Sequence, residues 1–325
     1  MRIKIEKCLI VFIIYILLAS AVFAQNFPNK PLKLVVPYPP GGTTDLIGRA
    51  FALKLGKELR QQVIVDNRNG ASGSLGTEIV AKSSPDGYTL GMSSVAPFAV
   101  NPACNPRVNY DPIRDFKPIT EIASSPHVIL VNKAFPAKNY TEFLSLIKAA
   151  PGKYSFATAG TCGTGHMVGA SFMYASHTQM LHIPYRGAGP AAIDVLANQV
   201  PVLIDGLPST LGYIRNGSMR AIVIASPKRS ETIPDIPTFA EVGLEEVSEP
   251  SWYGLVAPAS TPDNILKILS AASIKALKDP ILLDLFNTLG AIAGGTTPEE
   301  HGTQIKRTLE RMRLLVKEQS IAPDN

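Results

Sequence analysis

Of 325 residues, only three are cysteine, five histidine and one tryptophan. Cys162 and His166 stand close together, but no further ligand type clusters with them. That leaves no zinc site and no third group to orient a Cys–His nucleophile. No Gly-Lys-Ser/Thr follows the glycine-rich turn at residues 38–45, which excludes a phosphate-binding Walker loop. The turn also lacks the third glycine of a dinucleotide fingerprint. A Gly-x-Ser-x-Gly elbow is absent, as is any His-Asp-Ser cluster, which argues against a hydrolase. Excess charge is small: the formal net charge is +5, and +3 without the first 24 residues. That is weak support for a nucleic-acid partner. Beyond residue 24, no stretch approaches the roughly 18 apolar residues of a membrane helix. With 25 glycines and 27 prolines, the chain falls short of a low-complexity composition. It has no repeat of fixed period and no Gly/Ser-rich linker.

Enough apolar sequence is present, 46% of residues, to bury a core of good size over about two domains. Residues 1–24 read as a secretory signal. Arg2, Lys4 and Lys7 precede an uncharged apolar run at residues 8–19, and Val22-Phe23-Ala24 offers small residues for cleavage after Ala24. The mature chain is therefore expected in the periplasm. Cys8 falls inside the signal. Cys104 and Cys162 could pair in such an oxidising compartment, but the sequence does not give their separation.

Strand and helix patterns alternate along the mature chain. Residues 32–36 form a short branched apolar run, followed by a turn and then a helical pattern over 43–59, with Thr43 or Thr44 available to cap it. Strands at 62–66 and 88–92 flank a helix that ends near residue 82. The rhythm resumes with strands near 128–131, 153–157, 180–183, 202–205 and 220–225, and with helices at 140–149, 164–175, 190–198 and 209–216. A mixed strand covers 250–258. Helices follow over 263–278, 280–289 and 298–317. The alternation predicts α/β architecture with parallel sheets covered by helices. The stretch at 109–125 carries no clear pattern and is the expected lobe boundary, with a return near 249–252. The predicted organisation is one discontinuous lobe of residues 25–123 and 251–325, a second lobe of 124–250, and a hinge between them.

Five glycine- or hydroxyl-rich loops follow strands, where open α/β sheets bind ligands. The first is Tyr38-Pro39-Pro40-Gly41-Gly42-Thr43-Thr44-Asp45. Paired glycines at a helix start can present N–H groups to a small anion. The second is Ala159-Gly160-Thr161-Cys162-Gly163-Thr164-Gly165-His166. The third holds Arg186 and Gly187, and Arg186 can grip a carboxylate with two parallel hydrogen bonds. Asp205 and the Ser93-Ser94 pair complete the set. A cleft between two lobes would gather them. The remaining histidines read as packing or surface residues, and Trp252 and Tyr253 as candidates for the hinge.

At these loops the chain resembles the solute-binding proteins of tripartite tricarboxylate transporters, the Bug or TctC-like family. The likeness runs through residues 30–45, Val65-Asp66-Asn67-Arg68, Pro85-Asp86-Gly87-Tyr88-Thr89-Leu90 and Tyr110-Asp111-Pro112. It continues through Pro184-Tyr185-Arg186-Gly187, Asp235-Ile236-Pro237-Thr238 and residues 251–258. The resemblance implies a type II periplasmic binding protein whose two α/β lobes close on a small carboxylate. That ligand could be a di- or tricarboxylate, an aromatic acid or an acidic amino acid. The resemblance implies no enzyme activity, no cofactor and no metal. It implies a monomer that delivers its ligand to a two-subunit membrane permease, or else reports it to a sensor kinase. Residues 40–43 and 159–164 correspond to the family's carboxylate loops, and His166 to its position at the start of the following helix. Two departures stand out. Cys162 occupies a position where the family commonly has glycine, and Arg186 one where relatives often carry lysine, which would favour a second carboxylate.

Overall fold

The computed structural model describes residues 27–319 and 321. The signal segment, its cleavage point and Cys8 lie outside the described residues. The chain begins with β1 (Leu32–Val36), α1 (Thr43–Leu59), β2 (Val63–Asn67), α2 (Ser74–Ala81) and β3 (Thr89–Ser94). A helical segment of residues 96–104 follows and ends in α3 (Asn101–Cys104). Then come β4 (Phe116–Ser125), β5 (His127–Asn132), α4 (Tyr140–Ala149), β6 (Ser155–Thr158) and α5 (Thr164–Ser176). Next are β7 (Leu181–Pro184), α6 (Ala188–Leu196), β8 (Val202–Gly206), α7 (Leu207–Arg215) and β9 (Met219–Ala225). The chain ends with β10 (Ser251–Pro258), α8 (Asp263–Leu277), α9 (Pro280–Thr288), β11 (Ile292–Ala293) and α10 (Pro298–Glu318).

Two sheets result. The first has the order β11-β4-β10-β3-β1-β2, and the second β7-β6-β8-β5-β9. The inner strands, such as β1, β5, β8 and β10, are buried on both faces, and their alternate residues divide between two cores. Leu32, Leu34 and Val36 pack with Ile47, Phe51 and Leu55 of α1, whereas Val35 packs with Phe98 and with Ile305 and Leu309 of α10. In the second sheet Ile129 and Val131 meet Phe143 and Phe172, while Val128 and Leu130 meet Ala191 and Leu211. That period-two split is the signature of a sheet with helices on both faces.

The sheets are mixed, not purely parallel as the alternation predicts. Strands β1, β2 and β3 are parallel, but β10 runs antiparallel to both β3 and β4. Likewise β5 is antiparallel to β8 and β9. The cause is connectivity. The chain passes straight from β4 through Pro126 into β5 and returns from the second sheet as β10, so the crossing strands run against their neighbours.

The patternless stretch at 109–125 contains the ten-residue β4. Pro118 and two charged residues hide its alternation from the sequence. In the sheet, Pro118 sits opposite Val256, where the β4–β10 register shifts, a place where a missing N–H is tolerated. Pro97 and Pro102 likewise mask the helical segment at 96–104, because proline at the first helical positions costs no hydrogen bond.

Buried polar groups pin the elements together. Asn132, at the end of β5, donates from Nδ2 to the carbonyl of Val195, near the end of α6, at 2.7 Å. Its Oδ1 accepts from the N–H of Ala134 at 2.8 Å. An unpaired buried carbonyl or N–H costs more than the hydrogen bond itself contributes. Asn132→Ala is therefore expected to lower the unfolding free energy by about 2–3 kcal/mol in urea titrations, with the far-ultraviolet spectrum unchanged.

Candidate ligand-binding cleft

The loop after β1 is braced from beneath. Gly41 turns the chain at φ +84°, a conformation that favours glycine. Its N–H donates to Asp45 Oδ2 at 2.9 Å. The Asp45 carboxylate also accepts from Arg49 Nε at 3.0 Å and from Asn67 Nδ2 at 2.8 Å. Burial pushes the Asp45 pKa up, but these donors outweigh it and hold the carboxyl below its usual range. The helix start is capped by neither Thr43 nor Thr44. Gly42 is the N-cap, and no side chain bonds to the first-turn N–H groups. Both threonines already lie inside the helix, and Thr43 Oγ1 instead donates to Ser209 Oγ of α7, across the cleft, at 3.1 Å.

The loop after β6 has the same construction. Gly163 is the N-cap of α5, again without a side-chain cap. His166 is drawn into the loop itself. Its Nδ1 accepts from the N–H of Cys162 at 3.1 Å, and its ring stacks on His182 with centroids 4.0 Å apart. Cys162 is bonded to Cys104, so the Cys162–His166 pair holds no free thiol for nucleophilic chemistry.

Two cavities that share Tyr38, Pro39, Ser72, Ala159 and Gly160 lie between the sheets, and a third, of about 310 Å³ with Arg307 and Arg311 in its wall, meets the central one at Val95, Thr164 and Ser251. The central one measures about 60 Å³ and is walled by residues of both sheets and of the strand crossings. By the space one water needs, it holds roughly four to five water-sized groups. The outer one measures about 560 Å³ and opens the cleft to solvent. Of the residues singled out in the sequence, Tyr38, Gly42, Thr43, Ser94, Ala159, Gly160, Thr164 and Asp205 line the central cavity. Thr161, Arg186 and Gly187 line the outer one, which Tyr38, Ala159 and Gly160 also share.

Pro40, Gly41, Asp45, Ser93 and His166 line neither. Gly41 and Asp45 brace the first loop from behind. Ser93 points to the other face of β3, where its Oγ meets His301 Nε2 at 3.1 Å, because neighbouring strand residues face opposite ways. Thr44, within the first loop, lines the wall too, and four polar wall residues had no clear sequence signal as ligand contacts: Ser72, His127, Ser251 and Tyr253. The last three come from the strand crossings, where His127 Nδ1 and Ser251 Oγ are 3.0 Å apart.

The cleft has a distinctive donor set. Helices α1, α2, α5, α6 and α7 all start from a glycine N-cap with no side-chain cap, and each start lies at the cleft. Away from the cleft, α4, α9 and α10 are capped by Asn139, Asp279 and Thr297, while α8 starts after Pro262 without a side-chain cap. At α1 and α5 the uncapped start leaves backbone N–H groups and the positive end of the helix dipole available to an anion, whereas at α7 the Leu207 N–H is already given to the Pro126 carbonyl and at α2 that of Leu75 to the Gly70 carbonyl. No lysine or arginine lines the central cavity.

Burial pushes the Asp205 pKa up to about 6, only partly opposed by hydrogen bonds from Gly206 N–H and Ser209. Burial also pushes His127 down to about 4, so it is neutral at ordinary pH. Burial holds the Tyr38 and Tyr253 hydroxyls protonated, and Tyr38 gives its proton to the Ser72 carbonyl at 3.0 Å, which leaves its oxygen as an acceptor. The Ser94 hydroxyl is buried beside Tyr38 but makes no well-formed hydrogen bond. Among the described residues, no group of three or more His, Cys, Asp or Glu could hold a metal ion.

Glycines permit the two sides to meet. A Cβ at Gly206 would lie 2.3 Å from Thr43 Oγ1, one at Gly187 2.6 Å from Pro39 Cγ, and one at Gly160 2.6 Å from Ser72 Oγ. Gly206 has φ −66°, which suits alanine, so only the contact across the cleft forbids a side chain. Gly206→Ala is expected to cost about 1–3 kcal/mol of stability. Thr43→Ala, added to it, should recover most of that loss. Urea titrations of the double-mutant cycle check this, and strictly additive effects would contradict direct contact.

Comparison with known proteins fits this geometry. Residues 47–320 match the family described as tripartite tricarboxylate transporter family receptor. The chain is 34% identical to Protein BugT of Bordetella pertussis over 302 residues, 93% of each chain. It superposes on Rpa4515 of R. palustris, solved with adipate, with a TM-score of 0.88 and 28% identity, over 92% of this chain and all of that one. It superposes on MatC of Rhodopseudomonas palustris, solved with malate, with a TM-score of 0.84 and 29% identity, over 89% of this chain and all of that one.

Proposed function

The chain belongs to the tripartite tricarboxylate transporter receptor family, and we propose that within it this protein captures a small dicarboxylate in the periplasm for delivery to a two-subunit membrane permease. One observation carries the reading: uncapped helix starts from both sheets converge on a cavity that no lysine or arginine lines. One carboxylate of the ligand sits against the N–H groups that open α1 and α5, with the Ser94 hydroxyl beside it. A low-dielectric site strengthens such hydrogen bonds to an anion. The outer cavity carries Arg186, which suits the second carboxylate. The adipate and malate held by the two superposed relatives are dicarboxylates, which supports this class. The protein acts as a monomeric receptor without cofactor or metal.

The test uses residues 25–325, unfolded without reductant to strip bound ligand and then refolded. A ligand that binds only the folded chain raises the thermal midpoint with concentration, by about 2.7 kcal/mol of added stability at a hundredfold excess over Kd. C4–C6 dicarboxylates should shift the midpoint, and their diamides should not. Shifts with neutral ligands alone would overturn the carboxylate reading.

Asp205 adds a pH signature. Its folded pKa, about 6, lies above the usual carboxyl value. Below that value it is protonated and can donate a hydrogen bond. Above it the ionised group repels an incoming carboxylate. Affinity should therefore fall as pH rises from about 6 towards 8, by at most about tenfold per pH unit for one linked proton. His127 stays neutral over that range and contributes no slope. Calorimetric titrations across pH should show this decline in the natural protein and a flat profile in Asp205→Asn. A flat profile in both would contradict contact between Asp205 and the ligand.

A further inference from the structure

Cys104 and Cys162 belong to opposite sides of the cleft. Cys104 closes α3, in the segment that packs against the first sheet through Phe98 and Val100. Cys162 lies in the loop after β6 of the second sheet. Their disulfide, with Cα atoms 6.0 Å apart, is therefore a third covalent connection between the two sides, besides the strand crossings at Pro126 and near Pro250.

Its position matters. The crossings supply His127 and Ser251 to the wall of the central cavity, whereas Cys162 lines the outer cavity with Asn101 and Asn105. Crossings, central cavity and disulfide thus follow one another from the back of the cleft to its mouth. A two-lobe protein opens by rotating about its crossings, which moves the mouth furthest. A disulfide cannot span Cα atoms more than about 7 Å apart. Rotation that opened the mouth would exceed that reach.

We propose that the Cys104–Cys162 disulfide is a covalent latch that holds the ligand cleft closed at its mouth. The latch rests on the reading of this cleft as the ligand site, and it adds that ligand exchange is governed by the bond.

The surroundings of the bond fit a latch. Ser72 Oγ donates to the carbonyl of Thr161 across the cleft at 2.5 Å. Tyr38 Oη donates to the carbonyl of Ser72 at 3.0 Å, and Asn101 Nδ2 to that of Ala71 at 2.6 Å. Ala71, Ser72 and Cys162 all hold positive φ, at 46°, 50° and 54°. Such a conformation is strained for a residue with a side chain and persists only where its surroundings hold it. Three such residues meet at this one junction, on both sides of the cleft. With the bond intact, closure is not a free choice of the ligand-free chain, and no binding energy is spent on shifting an open population. With the bond cut, the mouth can open and ligand exchanges faster.

Small-angle scattering of ligand-stripped protein tests this without knowing the ligand. The chain is measured oxidised, after dithiothreitol, and as Cys104→Ser. In the reduction, one reagent thiolate attacks Cys162 Sγ and displaces Cys104 as a thiol. The reagent's second thiol then releases Cys162 and closes the reagent's own disulfide, so two electrons and two protons pass to the protein. Alkylation and mass measurement confirm two free thiols. The oxidised chain should be compact, with a radius of gyration of about 19 Å for its length. The reduced chain and Cys104→Ser should expand by on the order of 1 Å. A reduced chain and a variant that both stay as compact as the oxidised chain would overturn the latch. So would an oxidised stripped chain that is already as expanded as they are. If Cys104→Ser does not fold, the reduced natural chain decides. If the bond resists dithiothreitol, the variant decides. Failure of every carboxylate to bind would refute the ligand reading and leave this measurement intact.

Discussion

Close approach of backbone to side chain across the cleft is the constraint on which the rest of the site depends. Gly206 meets Thr43, Gly187 meets Pro39 and Gly160 meets Ser72 at distances that leave no room for a Cβ. The same economy of side chains applies at the helix starts. A glycine N-cap offers no oxygen to the first turn, so the N–H groups of α1 and α5 reach the cavity uncommitted. Contact between the two sides also strips water from the wall. That loss of water raises Asp205 and lowers His127. It also makes each N–H donor stronger towards an anion than it would be in water. Recognition without a lysine or arginine in the central cavity follows from these conditions together.

Much of the fold was legible in the sequence, because its strands are short apolar runs between turn residues and its helices carry separate apolar faces. The helix at 140–149 and the strand at 32–36 match the structure residue for residue. What failed was masked by proline or set by distant pairing. Strand β4 carries Pro118, the segment at 96–104 carries Pro97 and Pro102, and the two-residue β11 exists only through its pairing with β4. The antiparallel crossings were invisible for a related reason: strand direction is a property of the return path, not of any local pattern.

The cleft was legible in its loops and less so in its walls. Glycines and hydroxyls at strand ends signal a loop that a ligand can approach, and eight such residues, with Ala159, Arg186 and Asp205, line the two cavities. Asp45 and His166 have suitable chemistry, but local hydrogen bonds turn both inward to brace the loops. Ser93 lost to Ser94 by the alternation of a strand. His127 and Ser251 could not be found by inspection. They are 124 residues apart and meet only because the chain crosses twice between the sheets. The disulfide belongs to the same class, since its partners are 58 residues apart and lie on opposite sides of the cleft.

The central claim is that backbone N–H groups at two helix starts hold the ligand's carboxylate. Amide chemical shifts report on those groups directly. In a nitrogen-15-labelled protein titrated with a C4–C6 dicarboxylate, the largest downfield shifts should fall on Gly42, Thr43 and Thr44 and on Gly163, Thr164 and Gly165. Shifts confined to the neighbourhood of Arg186, with both helix starts silent, would contradict the account.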